Sequence, residues 1–132
     1  MTTPEGNSLI LIADDRPSSR ELLRIVLQRA GYRVAEAEDG EQAVAVACAA
    51  KPDLILLDLQ MPKLDGYGAL EKLRQSEDCR EIPVLALTAS AMRGDREKIL
   101  AAGFTEYLSK PASPEVLREA VARMLGAEKQ GG

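Results

Sequence analysis

The chain has 132 residues, 45% of them hydrophobic and 29% charged, with a formal net charge of -4, a size and composition that describe one globular domain without mass for a second core. That acidic balance argues against a surface built for nucleic acid or anionic membrane. The complete lack of histidine excludes imidazole metal ligands, an imidazole-based triad and any role as a histidine phosphoryl carrier, and aromatics at 3% leave little for base stacking.

Met1 to Ser8 reads as a polar tail without the basic-then-apolar pattern of an export signal. No later run reaches the ~18 apolar residues of a membrane span, so a cytoplasmic protein is expected. Leu9 to Ala13 (LILIA) is a continuous apolar run ended by Asp14-Asp15, which suits a strand buried on both faces. Leu22, Leu23, Val26, Leu27 and Ala30 then mark one helical face, with Ser18-x-x-Glu21 as a capping box and Gly31 as the stop. Arg33 to Ala37 is a weaker strand, and Asp39 caps an alanine-rich helix, Glu41 to Ala50, closed by Lys51-Pro52.

Leu54 to Leu57 is a second buried-strand run, ended by Asp58. Met61-Pro62 fixes the loop after it, and Gly66 supplies a turn conformation before a helix over Tyr67 to Gln75. Cys79 falls in a charged loop and Cys48 in the second helix; without CxxC or metal spacing they read as ordinary free thiols. Val84 to Leu87, introduced by Pro83, is a strand followed by Thr88, and a helix over Asp95 to Ala102 stops at Gly103. Tyr107 to Ser109 is the last strand, followed by Lys110. A final helix begins at Ser113-Pro114 with Val116, Leu117, Ala120, Val121, Met124 and Leu125 on its apolar stripe. Gly126 to Gly132 reads as a second polar tail, leaving Leu9 to Leu125 as one domain with no output unit of its own.

Strict alternation of strands and helices implies right-handed crossovers, hence an α/β doubly wound (βα)5 fold with a five-stranded parallel sheet and helices on both faces. In such a sheet function collects outside the carboxyl ends of the strands. Asp14, Asp15, Asp58, Thr88 and Lys110 all fall there. In a flavodoxin-like order 2-1-3-4-5, strands one and three are neighbours about 4.8 Å apart, and their carboxylates can converge. Three carboxylates and one ammonium leave a local charge near -2, which calls for a bound cation; oxygen-only donors suit Mg²⁺ rather than a softer metal. Aspartate as nucleophile, a metal and a lysine to offset charge, and a hydroxyl to bond phosphoryl oxygens make a phosphoryl-transfer site. Singly, each residue has an ordinary reading as a turn acid, a cap, a strand end or a surface charge; only together do they point to chemistry.

The segment Asp58-Leu59-Gln60-Met61-Pro62-Lys63-Leu64-Asp65-Gly66, with Asp14-Asp15, Thr88-Ala89 and Lys110-Pro111 in order, resembles the receiver domain of two-component response regulators over nearly the whole chain. The resemblance implies that Asp58 is the phosphoacceptor, that Asp15, Asp58 and the Gln60 backbone carbonyl bind Mg²⁺ directly, and that Asp14 holds a metal-bound water. Thr88 and Lys110 would grip the phosphoryl group, Tyr107 would swing inward in response, and the bond before Pro111 would be cis. It further implies a histidine kinase or histidine phosphotransfer protein as donor, a protein target at helix four, strand five and helix five, and no separate substrate of an enzyme. Arg16-Pro17 departs from the pattern at a variable position and adds a cation beside the metal site. Gln60 and Ser90 are candidate tuners of phosphoryl lifetime, while Met92 and Arg93 read equally as partner contacts or helix entry. Two rivals are weighed against this. A phosphatase of the haloacid-dehalogenase type needs a DxD at strand one, which Asp14-Asp15-Arg16 lacks, and a pseudo-receiver scaffold would not need the complete ligand set. Nucleotide or flavin binding lacks GxGxxG or a P-loop.

Overall fold

Five short runs form the strands β1 (Leu9–Ala13), β2 (Arg33–Ala37), β3 (Leu54–Asp58), β4 (Val84–Thr88) and β5 (Glu106–Ser109). The computed structural model describes residues 8–89, 93–110 and 112–131, apart from the side chains of 93, 94 and 127–131. The strands pair in parallel in the order β2-β1-β3-β4-β5, which is the expected order. Three of them are central, and their side chains alternate between two apolar layers. Leu11, Ala13, Ile55, Leu57, Val84 and Ala86 face one cluster, whereas Ile10, Ile12, Leu54, Leu56, Leu85 and Leu87 face the other.

The helices are α1 (Pro17–Arg29), α2 (Gly40–Ala50), α3 (Gly66–Gln75), α4 (Arg93–Ala102) and α5 (Pro114–Gly131). Leu23, Val26 and Leu27 of α1 and Leu117, Ala120, Val121, Met124 and Leu125 of α5 close one layer. Ala43 and Ala47 of α2, Ala69, Leu70 and Leu73 of α3, and Ile99 of α4 close the other. Each large side chain buried this way contributes roughly 1.5–3 kcal/mol. Gly31 at φ 101 and Gly103 at φ 113 turn the chain out of α1 and α4 in a conformation that favours glycine. Asp39 caps α2 as expected, its side chain accepting from the Gln42 amide at 2.8 Å. Among the described residues, no helix is long and apolar enough to cross a membrane.

Several local expectations are corrected. The capping box at Ser18 and Glu21 does not form: α1 starts earlier, with Arg16 at the N-cap and Pro17 in its first turn, and no N-cap side chain bonds an amide. Proline tolerates that position because its missing N–H would have had no intrahelical partner. Leu22, expected on the buried face, is 53% exposed, and Val116 of α5 is 46% exposed, each lying at the margin of its helix's apolar stripe. Gly66 is needed for space rather than for a turn. A Cβ there would sit 2.7 Å from the Asp58 carbonyl oxygen and 2.7 Å from Leu59 Cα, and its φ is not positive. Helix α5 continues past Leu125, its expected end, to Gly131. Ser8, assigned to the tail, is buried, and its carbonyl accepts from the Arg33 amide at 2.9 Å.

Candidate functional site

The sheet delivers four side chains to one place. Asp14 directly follows β1, and its amide donates to the Ala37 carbonyl at 3.1 Å, extending the β1–β2 pairing by one residue. Asp58 is the last residue of β3, paired in register with Leu87, and Thr88 is the last of β4. Lys110 follows β5, its amide donating to the Thr88 carbonyl at 2.7 Å. From there the Lys110 ammonium reaches both acids, with Nζ 3.0 Å from Asp14 Oδ2 and 3.0 Å from Asp58 Oδ2. Carboxylate oxygens of Asp14, Asp15 and Asp58 lie within 4.8 Å of one another. Asp14 is fully buried, Asp58 and Thr88 nearly so, and Asp15 is exposed.

The second oxygen of each buried acid is bonded as well, and Asp14 Oδ2 has a further donor. Asp14 Oδ1 accepts from the Arg16 amide at 2.9 Å, and Oδ2 accepts from the Ser19 hydroxyl at 2.6 Å. Asp58 Oδ1 accepts from the Gln60 amide at 3.0 Å. Burial pushes the Asp14 carboxyl up, but the Ser19 hydroxyl, the Arg16 amide and the Lys110 ammonium outweigh it and hold the group below the ordinary aspartate range. Asp58 moves the other way. Burial is again the largest influence, the Gln60 amide and Lys110 oppose it, and the charge on Asp14 adds to it, so the net shift is upward. Burial lowers Lys110 less than its two carboxylate partners raise it. One acid is therefore firmly ionised while its neighbour is held in a charge-crowded position, an arrangement relieved by a cation with oxygen ligands.

Sequence and structure meet at Asp14, Asp15, Asp58, Thr88 and Lys110, all at the carboxyl edge of the sheet. Gln60 contributes its amide from an exposed position. Tyr107 lies two residues before the residue that pairs with Thr88 and is half-buried against the α2–α3–α4 layer. Arg16 meets Asp14 through its backbone, and its side chain is exposed beside the site. Pro111, Ser90 and Met92 lie outside the described residues, as does the Arg93 side chain. Ser19 and Arg20 escape a reading of sequence alone. Ser19, not Ser18, turns toward Asp14, and Arg20 clamps the Asp14 carbonyl at 2.8 Å while its Nε pairs with Glu36 at 3.1 Å. The available signal was helical phase: Ser19 and Leu23 lie four residues apart on the inward face of α1. A groove of about 910 Å³ opens from the acids between α1 and the β3–α3 loop, with Leu22, Met61 and Pro62 in its walls.

The family model for the response regulator receiver domain matches residues 10–122. The DNA-binding dual master transcriptional regulator RpaA of Synechocystis is 41% identical over 116 residues, 88% of this chain and 48% of that protein. This chain thus spans about half the length of the transcriptional regulators it matches. The polar-differentiation response regulator DivK of Brucella anthropi is 35% identical over 117 residues, 89% of this chain and 95% of DivK. Among solved structures, the receiver domain of the sensor histidine kinase PA1611 from Pseudomonas aeruginosa, with magnesium coordinated in its active-site cleft, superposes with a TM-score of 0.84 at 40% identity, covering 91% of this chain and 98% of that one. The chemotaxis protein CheY4 of Vibrio cholerae gives 0.83 at 33% identity, covering 89% and 98%.

Proposed function

This chain belongs to the family of response regulator receiver domains of two-component signalling, and on that premise we propose that it is a phosphorylation-controlled switch that accepts a phosphoryl group on Asp58 from the histidine of a kinase or phosphotransfer protein. The observation that carries this reading is the convergence of Asp14, Asp15 and Asp58 with the Lys110 ammonium 3.0 Å from two of them, at the carboxyl edge of the sheet. Three oxygen donors around an open groove fit a hard divalent cation, and Asp15, Asp58 and the Gln60 carbonyl would hold Mg²⁺ directly, with Asp14 acting through water. When bound, Mg²⁺ supplies charge neutralisation for the transferring phosphoryl oxygens.

The residues themselves do the rest. A carboxylate oxygen of Asp58 forms the new P–O bond as the P–N bond to the donor imidazole breaks, and the imidazole leaves carrying a proton. Burial of Asp58 strips water from the reacting carboxylate, and the Gln60 amide orients it. Lys110 exchanges a carboxylate partner for the phosphoryl oxygens, and the Thr88 hydroxyl bonds one of them. The groove beside the exposed Leu22 gives the donor an apolar landing next to the acids. Loss of the Lys110–Asp58 contact and recruitment of Thr88 bias β4, β5 and Tyr107 toward a second arrangement, which the α4–β5–α5 surface presents to a protein target. The chain acts as phosphoacceptor, with transfer and slow hydrolysis at its own site and no separate substrate.

The test is intact mass after incubation with acetyl phosphate. A single phosphoryl adduct that requires Mg²⁺, is removed by hydroxylamine and is absent from Asp58→Asn supports the proposal. An adduct that persists in Asp58→Asn refutes the assignment, and a wild type inert to both acetyl phosphate and a phosphorylated histidine phosphotransfer protein refutes the switch.

A further inference from the structure

At the opposite end of the sheet, two cysteines far apart in sequence meet. Cys48 sits in the last turn of α2, which ends just before β3, and Cys79 lies after α3 and ahead of β4. Packing of α2 on α3 brings their sulfurs to 3.0 Å across a sequence separation of 31 residues. A disulfide bond is about 2.05 Å long, so closure asks for roughly 1 Å of approach shared by two side chains. Cys79 is 1% exposed, Cys48 is partly exposed, and the Ser76 hydroxyl stands 3.4 Å from Cys48 Sγ. Lys51 and Asp78, 3.8 Å apart, already bridge the same two segments.

We propose that Cys48 and Cys79 form a peroxide-sensitive thiol pair that closes to an intramolecular disulfide, stapling the end of α2 to the α3–β4 connection. The asymmetry in exposure assigns the roles. Cys48 meets the oxidant: its sulfur takes an oxygen from hydrogen peroxide, giving a sulfenic acid and one water. Cys79, buried beside it and with its thiol pushed up by that burial, supplies the second sulfur. The S–S bond forms as the Cys48 S–O bond breaks, and the hydroxyl leaves with the Cys79 proton as a second water. Two thiols are oxidised by two electrons and one peroxide is reduced to two waters. The closed loop contains β3 and α3 and therefore Asp58 itself, yet the staple lies at the amino ends of the strands. Its test is thus independent of the phosphoacceptor reading.

The experiment treats the fully reduced full-length chain in its native state with a small excess of hydrogen peroxide, then unfolds and alkylates it. Expected is a mass lower by two hydrogens with no alkyl adduct, restored to two adducts by dithiothreitol, and an unfolding midpoint raised by about 10 °C in the oxidised form. Cys79→Ser should stop at a sulfenic acid on Cys48 that dimedone traps. Cys48→Ser, altered at a partly exposed position, should keep one alkylatable thiol. Two free thiols after treatment, added oxygen without a cross-link, disulfide-linked dimers, or a midpoint unmoved by the cross-link would each overturn the proposal.

Discussion

Replacing Lys110 with methionine keeps most of the side chain's apolar stem and removes its charge, which isolates the electrostatic role of the ammonium. In the native protein its Nζ stands 3.0 Å from Asp14 and 3.0 Å from Asp58, both acids almost wholly buried. Without it, two carboxylates whose oxygens lie within 4.8 Å of each other repel by about 3.5 kcal/mol at an effective dielectric of ~20. Breaking a buried pair from one side costs about 3–5 kcal/mol. The Lys110 side chain is itself 21% exposed, so solvent screens part of that, and the expected loss is about 2–4 kcal/mol at neutral pH. The pH dependence separates charge from packing. In the variant, crowding holds a carboxyl pKa above its unfolded value, so the folded state binds more protons and the deficit shrinks as pH falls. Urea unfolding followed by circular dichroism, in metal-free buffer at neutral pH and at about pH 5, measures both. A deficit under about 0.5 kcal/mol at neutral pH, or one equal at the two pH values, would show that the ammonium is not what holds the acids together.

Ser19→Ala removes a 2.6 Å donor to the ionised Asp14 and should lower stability by about 1.5–3 kcal/mol at neutral pH, a loss that urea midpoints would show fading in acid. Gly66→Ala places a Cβ 2.7 Å from backbone atoms of Asp58 and Leu59, and should cost about 2 kcal/mol or more. Gly126→Ala, with nothing within 4 Å of the added carbon, should instead stabilise α5 by about 0.5–1 kcal/mol; thermal melts of the two should move in opposite directions. Asp14, depressed, contributes stability that is complete above the ordinary aspartate value of 3.8 and is lost as pH falls through its lower folded value. Asp58, elevated, contributes the contrary slope above 3.8. Acid titration of unfolding midpoints should therefore flatten below the ordinary value in Asp14→Asn and above it in Asp58→Asn.

The central strands were legible because burial on both faces writes an uninterrupted apolar run: β1 matches its expected bounds, and β3 and β4 each extend one residue further into Asp58 and Thr88. Edge strand β5 begins one residue before its expected start, at the half-buried Glu106, whose carboxylate pairs with Arg123 of α5. A polar residue facing an open edge carries little strand signal. The acids and Lys110 were legible as strand-end positions, since the fold converts sequence order into proximity there. Ser19 was not, because its partnership with Asp14 depends on where α1 begins, and Pro17 rather than Ser18 decides that. The cysteines were invisible for a different reason. Their meeting follows from how closely α2 and α3 pack, and the small side chains of Ala43, Ala47 and Ala69 permit that approach without announcing it.

Arg74 reaches from α3 to the segments that lead into β4 and β5, its Nη1 donating to the carbonyls of Arg80 at 2.7 Å and Ile82 at 2.9 Å, with Nη2 3.5 Å from the carbonyl of Gly103. Gly103 ends α4, and of the described side chains in that helix only Ile99 is buried; Lys98 lies 5.0 Å from the centre of the Tyr67 ring. Helix α4 is consequently fastened at its tail and thinly held along its length. A ten-residue helix is about 15 Å long, and a lever of that length pinned at one end converts a rotation of a few degrees near Gly103 into a displacement of about 1 Å at Arg93. The place where such a beam swings furthest is the end that follows Thr88.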